Sequence, residues 1–153
     1  MRLILTSLAA SLVAATPALA NEVRVEARGG VVWNSTDSEE LAGIAVGYDY
    51  DLGSSAFAGA EVSADKLLTS GTKVTFGFNG RLGAKVMDAG KLYATGGYNT
   101  ESCDGCEGAW TLGAGYQHSF GKFYGKVEYR HFFNDNAVFT DTDAAVIGLG
   151  MKF

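Results

Sequence analysis

The sequence predicts an all-β protein: an eight-stranded antiparallel up-and-down transmembrane β-barrel with a polar, side-chain-filled lumen. Three observations predict it. Apolar residues recur with period two in eight segments, as in strands whose two faces meet different surroundings. The only proline is Pro17, so every residue after it can donate to a sheet ladder. No run of about eighteen apolar residues exists, which rules out a helical span. A closed barrel then remains as the way across a bilayer, where every backbone polar group must be paired.

Residues 1–20 read as a cleaved secretory signal peptide rather than as part of the fold. Arg2 supplies a positive start, Leu3 to Ala15 a short apolar stretch, and Ala18-Leu19-Ala20 a small-residue cleavage site. Residues 21–153 form the barrel domain. The eight predicted strands are Glu22–Trp33, Leu41–Asp51, Ala56–Ala64, Thr72–Val86, Lys91–Asn99, Ala109–Gln117, Lys122–Phe132 and Ala144–Phe153. The fourth is the clearest: Val74, Phe76, Phe78, Leu82, Ala84 and Val86 alternate with Lys73, Thr75, Asn79, Arg81 and Lys85. The eighth sets Ala145, Ile147, Leu149, Met151 and Phe153 against small residues and Lys152.

The connections alternate in length. Asp51–Ser55, Met87–Gly90 and His118–Gly121 are short and contain glycine, as tight hairpins require. Asn34–Glu40, Asp65–Gly71, Thr100–Gly108 and Phe133–Asp143 are longer and polar. Short turns at one rim and long loops at the other predict periplasmic termini and extracellular loops. Charge decides which face is outside. An Arg or Lys held against lipid near the midplane costs about 2–4 kcal/mol. The charged face must therefore line the lumen, which in an eight-stranded barrel is just wide enough for side chains to fill. Glu26, Arg28, Glu61, Arg81, Glu128 and Arg130 are the expected lumenal charge network. Glu61 and Glu128 are expected to pair with Arg81 and Arg130, because an unpaired buried charge is expensive. Trp33, Tyr50, Tyr98, Trp110, Phe120, Phe132 and Phe153 are expected in interfacial aromatic girdles.

The segment ending in Phe153 resembles the C-terminal signature of bacterial outer-membrane barrels, a terminal Phe preceded by alternating apolar residues. The resemblance implies an assembly signal at Phe153, read by the barrel-assembly machinery. Together with the signal peptide, Glu61 and Tyr124-Gly-Lys-Val-Glu-Tyr-Arg130, the whole mature chain is similar to the small eight-stranded barrels of the opacity-protein and outer-membrane-protein-A-like superfamily. That resemblance implies residence in the cell outer membrane, with its lipids and lipopolysaccharide as surroundings. It implies no single activity.

Sites for chemistry are few. The net charge is −5, which argues against nucleic acid as a partner. Arg130-His131-Phe132-Phe133-Asn134 resembles the His-x-Ser-Asn motif of lipid A deacylases in the spacing of His131 and Asn134. Phe133 stands where that family has its serine, and a phenyl ring cannot attack an ester. No catalytic, cofactor or metal site is expected. Cys103-Asp-Gly-Cys106 lies in a long loop; after export its thiols are expected to close a small disulfide. The acidic loop residues, Glu101, Asp104 and Glu107 among them, read as a solvated surface or as divalent-cation bridges to lipopolysaccharide phosphates. The expected function is non-catalytic: a small outer-membrane protein serving envelope structure or surface contact through its loops. A narrow gated channel is the alternative, and a lipid A-modifying hydrolase a more remote one.

Overall fold

A computed structural model describes residues 21–105, 107–133 and 142–153. The predicted signal segment therefore lies outside the described residues. The strands are β1 (Glu22–Trp33), β2 (Ser38–Leu52), β3 (Ala56–Leu67), β4 (Val74–Val86), β5 (Gly90–Asn99), β6 (Ala109–Phe120), β7 (Phe123–Phe133) and β8 (Thr142–Lys152). Each pairs antiparallel with its sequence neighbour, and β8 returns to β1, so the sheet is a closed barrel. Closure removes the open edges that an isolated sheet would present. The last residue takes part in the seam: Phe153 N–H donates to the Val23 carbonyl at 2.9 Å, and Val23 N–H to the Phe153 carbonyl at 3.3 Å.

Several strands run further than the hydrophobic pattern suggests. Glu39 and Glu40 pair with Val32 and Val31, and Asp65 pairs with Gly43 and Thr75. The expected loops Asn34–Glu40 and Asp65–Gly71 therefore shrink to residues 34–37 and 68–73. Backbone pairing is indifferent to side-chain polarity, so the wall continues as a ladder where the apolar belt has ended. His118, expected in a turn, instead lies within β6 opposite Gly125, and the turn is Gly121-Lys122.

The two faces divide as expected. Outside are Ile44, Phe76, Phe78, Leu82, Leu112 and Ile147, all exposed, with Leu149 at 75%. Inside are the charged and polar residues. An apolar exterior over a charged interior is the inverse of a water-soluble barrel. Tyr50, Tyr98, Trp110, Phe120 and Phe153 are on the exposed side, and Tyr98 and Trp110 meet edge-to-face at 5.4 Å. Phe132 is a correction. It shares the parity of Arg130 and faces the lumen mouth, while Phe133 takes the outward position.

Bulk and space alternate around the lumen. One inward row runs Phe57, Gly83, Tyr93, Gly115, Glu128 across β3 to β7. The glycines sit beneath the rings: a Cβ on Gly83 would meet the Leu92 carbonyl and Tyr93 Cα and Cβ. A small barrel can hold long side chains on alternate strands only if the strands between them are empty.

Candidate functional site

The lumen is a charge-filled plug with an open vestibule at the loop end. Glu61 is its centre. Oε1 accepts from Arg28 Nη1 at 2.9 Å and Arg130 Nη2 at 3.1 Å; Oε2 accepts from Arg24 Nη1 and Lys126 Nζ, both at 3.3 Å. Strand parity explains the convergence, since β1, β3 and β7 each turn these residues inward. Lys126 also meets Glu26 at 2.7 Å and Glu128 at 3.6 Å. Arg130 Nε binds Glu128, and Arg28 makes two contacts to Asp65. Tyr93 and Tyr124 donate their hydroxyls to Glu128 at 2.7 Å and Glu26 at 2.8 Å.

A second hub lies toward the turn end. Asp49 is fully buried and takes Arg24, Arg81 and Lys91 at 3.4, 3.2 and 2.9 Å. Lys91 also binds Glu22 at 2.9 Å. Arg81 does not reach Glu61 or Glu128 as expected. It donates to Asp49 and to Gln117 at 3.0 Å, and its guanidinium packs 4.1 Å from the Tyr93 ring centroid and 5.1 Å from that of Phe57. Its place in β4, paired with Gly59 and Thr95, sets it closer to Asp49 than to the Glu61 tier. The aromatic faces stabilise the cation where carboxylates are scarce.

Of the anticipated lumenal residues, Glu26, Arg28, Glu61, Glu128 and Arg130 form one connected cluster and Arg81 belongs to the neighbouring one. Lys126, inward by the parity of its strand, joins the Glu61 cluster, and Arg24, Asp49, Asp65, Lys91 and Gln117 are further members that the sequence pattern does not single out. Arg24 and Asp49 carry the same signal as the rest, inward parity in an alternating strand. Asp65 was concealed by the loop reading, and Lys91 by its position at a strand end. The buried lumenal charges nearly balance: Arg24, Arg28, Arg81, Lys91, Lys126 and Arg130 against Glu26, Asp49, Glu61, Asp65 and Glu128, with the part-exposed Glu22 reaching Lys91 from the strand end.

Above the plug is a cavity of about 550 Å³. Arg28, Asp65 and Arg130 form its floor; Val32, Leu41, Leu67, Phe132 and Val146 line one side, and Thr75 and Asn99 the other. Between the β3–β4 and β5–β6 connections, Lys73 binds Asp104 and lies 3.7 Å from Glu101. Cys103 is disulfide-bonded; Cys106 lies outside the described residues.

Among the described residues, the arrangement closest to a catalytic pair is on the outer wall. His131 Nδ1 is 2.8 Å from Asp143, whose carboxylate also accepts from Tyr129 at 2.5 Å. The Phe133 ring packs edge-on against His131 at 4.7 Å. Asn134, the other residue of the anticipated motif, lies outside the described residues.

No protein-family model matches the chain, and no curated protein matches it. Solved structures do. The N-terminal β-barrel domain of Pseudomonas aeruginosa OprF superposes with a TM-score of 0.64 at 16% identity, over 86% of this chain and 97% of that one. Ail, the attachment invasion locus protein of Yersinia pestis, gives 0.62 at 13% identity, over 88% and 99%. The outer membrane enzyme PagL gives 0.56 at 14% identity, over 84% and 98%. The chain thus has the fold of the small eight-stranded transmembrane barrels. At such identities the likeness extends to the fold alone, and the fold serves enzymes and non-enzymes alike.

Proposed function

We propose that the protein is a non-catalytic outer-membrane barrel: an envelope-structural or surface-contact protein whose closed wall anchors a set of short loops. The observation that carries this reading is the filled lumen inside an apolar exterior. The belt suits lipid, and a plug of paired charges across the lumen opposes the passage of solutes. Export with cleavage after Ala20, assembly through the strand ending in Phe153, periplasmic termini and extracellular loops belong to the same reading. So does a disulfide between Cys103 and Cys106. Lipopolysaccharide and phospholipid are then the standing partners, and any further ligand meets the loops. Outer-membrane barrels of this fold, Ail among them, support the location by analogy.

Fractionation of expressing cells tests it. The protein should sediment with the outer membrane, migrate anomalously on unboiled gels, and be cut by added protease within residues 100–108 on intact cells. Recovery in the soluble fraction without detergent would overturn the proposal. The His131–Asp143 contact favours a second reading, a lipid A-modifying hydrolase, because an imidazole held by a carboxylate is half of a hydrolytic apparatus. Phe133 at the nucleophile position opposes it. Mass spectra of lipid A unchanged by expression would dispose of the hydrolase.

A further inference from the structure

The vestibule holds apolar side chains on the wrong side of a membrane barrel. Val32, Leu41, Leu67 and Phe132 have inward parity and line the cavity rather than the lipid belt. They are half-exposed to the cavity among the described residues, and an apolar wall gains nothing until something covers it. The cavity is also blind. Its floor of Arg28, Asp65 and Arg130 continues directly into the Glu61 cluster, so an entering molecule stays in the vestibule. A volume of about 550 Å³ suits one small organic molecule.

Charge selects among such molecules. The floor guanidiniums are already each held by two carboxylates, Arg28 by Asp65 and Glu61 and Arg130 by Glu128 and Glu61. At the rim, Asp37 and Glu39 line the cavity, and neither has an ion-pair partner among the described residues. Glu39 is inward on β2, directly across from Val32, so a carboxylate stands beside the apolar wall. An anion would meet two unpaired carboxylates at the rim, and on the floor only guanidiniums that carboxylates already neutralise. A cation with an apolar body would satisfy both features, its charge at Glu39 and Asp37 and its body against Leu41, Leu67 and Phe132.

We propose that the vestibule is a binding site for a small organic cation, an ammonium group carried on an aromatic or alkyl body. The assignment depends on the cavity and not on which side of a membrane the loops face. The experiment is isothermal titration calorimetry of the full chain, refolded in a non-ionic detergent because zwitterionic ones carry ammonium groups. The probe is 2-phenylethylammonium, with 3-phenylpropionate as the anion of like shape. The expected result is saturable one-to-one uptake of the cation, weakened by added salt, with none of the anion. Glu39→Gln should weaken it about tenfold, since it removes a charged hydrogen-bond acceptor, and Phe132→Ala should weaken it as well. Absence of saturable binding, equal uptake of the anion, or unchanged affinity in Glu39→Gln would each overturn the assignment. If a variant fails to show the folded gel form, the cation-against-anion comparison on the unaltered chain decides alone.

Discussion

Glu61 brings one negative charge to four cations, Arg24, Arg28, Lys126 and Arg130. Taking that charge away leaves the four sharing fewer counter-ions in a place closed to bulk water. Breaking a buried ion pair from one side costs about 3–5 kcal/mol. Glu61→Gln keeps the shape and loses the charge, so urea unfolding in lipid vesicles should report a loss of that order. A contrasting residue is Lys73, in the connection between β3 and β4. Its hydrogen bond to Asp104 holds the ammonium above the ordinary lysine range. The sign follows from that direction. The bridge between the β3–β4 and β5–β6 connections is complete below the ordinary lysine value and is lost as pH rises through the raised one. Nuclear magnetic resonance of the lysine side chains should find Lys73 titrating higher than its neighbours, and Asp104→Asn should return it to the common range. The exposed site means that global stability should barely change.

At the scale of elements, neighbouring strands alternate bulk and room along a row. The row Phe57, Gly83, Tyr93, Gly115, Glu128 shows the alternation. Gly83 lies so close to the β5 backbone that a β-carbon there displaces main chain and not a flexible tip. Gly83→Val should cost about 1–3 kcal/mol through overpacking, seen as a lower midpoint in the same urea titration. Ala84 points the other way, into the exposed face, and Ala84→Val should be close to neutral. The difference between these neighbours is a test of strand register, because a slip of one residue would exchange their roles.

The whole molecule is two nested surfaces with opposite demands. Outside, Leu149 stands 75% exposed in a belt of apolar neighbours. Leu149→Arg should cost about 2–4 kcal/mol in a bilayer if this position is near the midplane, measured as lost folding yield into vesicles. Inside, the paired charges of the Glu61 and Asp49 clusters, with Arg81 laid between Phe57 and Tyr93, occupy the lumen below the vestibule. Planar-bilayer recordings of the purified protein should therefore show no steady unit conductance. A steady conductance would mean that the ion pairs part readily, and would favour the channel reading over the anchor.

Much of this was legible in the chain before folding. Period-two alternation is a local property, so strand count, the inward parity of Glu26, Arg28, Glu61, Glu128 and Arg130, and the lipid-facing set could be read from neighbours along the sequence. At Phe132 an aromatic residue near a strand end suggests a girdle position, while its parity with Arg130 turns it inward. What the tertiary structure alone decided is partnership. Tyr124 bonds Glu26 across 98 residues of sequence, and Arg130 reaches Glu61 across 69. Such meetings depend on how each strand is staggered against the next around the ring, and the stagger accumulates over eight pairings. Arg81 therefore went to Asp49, and Asp65 joined the plug although its surroundings read as a loop. The vestibule belongs to the same class. Each of its residues looks unremarkable in its own strand; the β1–β2 hairpin sets Glu39 beside Val32, and only closure through β8 brings Phe132 to the same side.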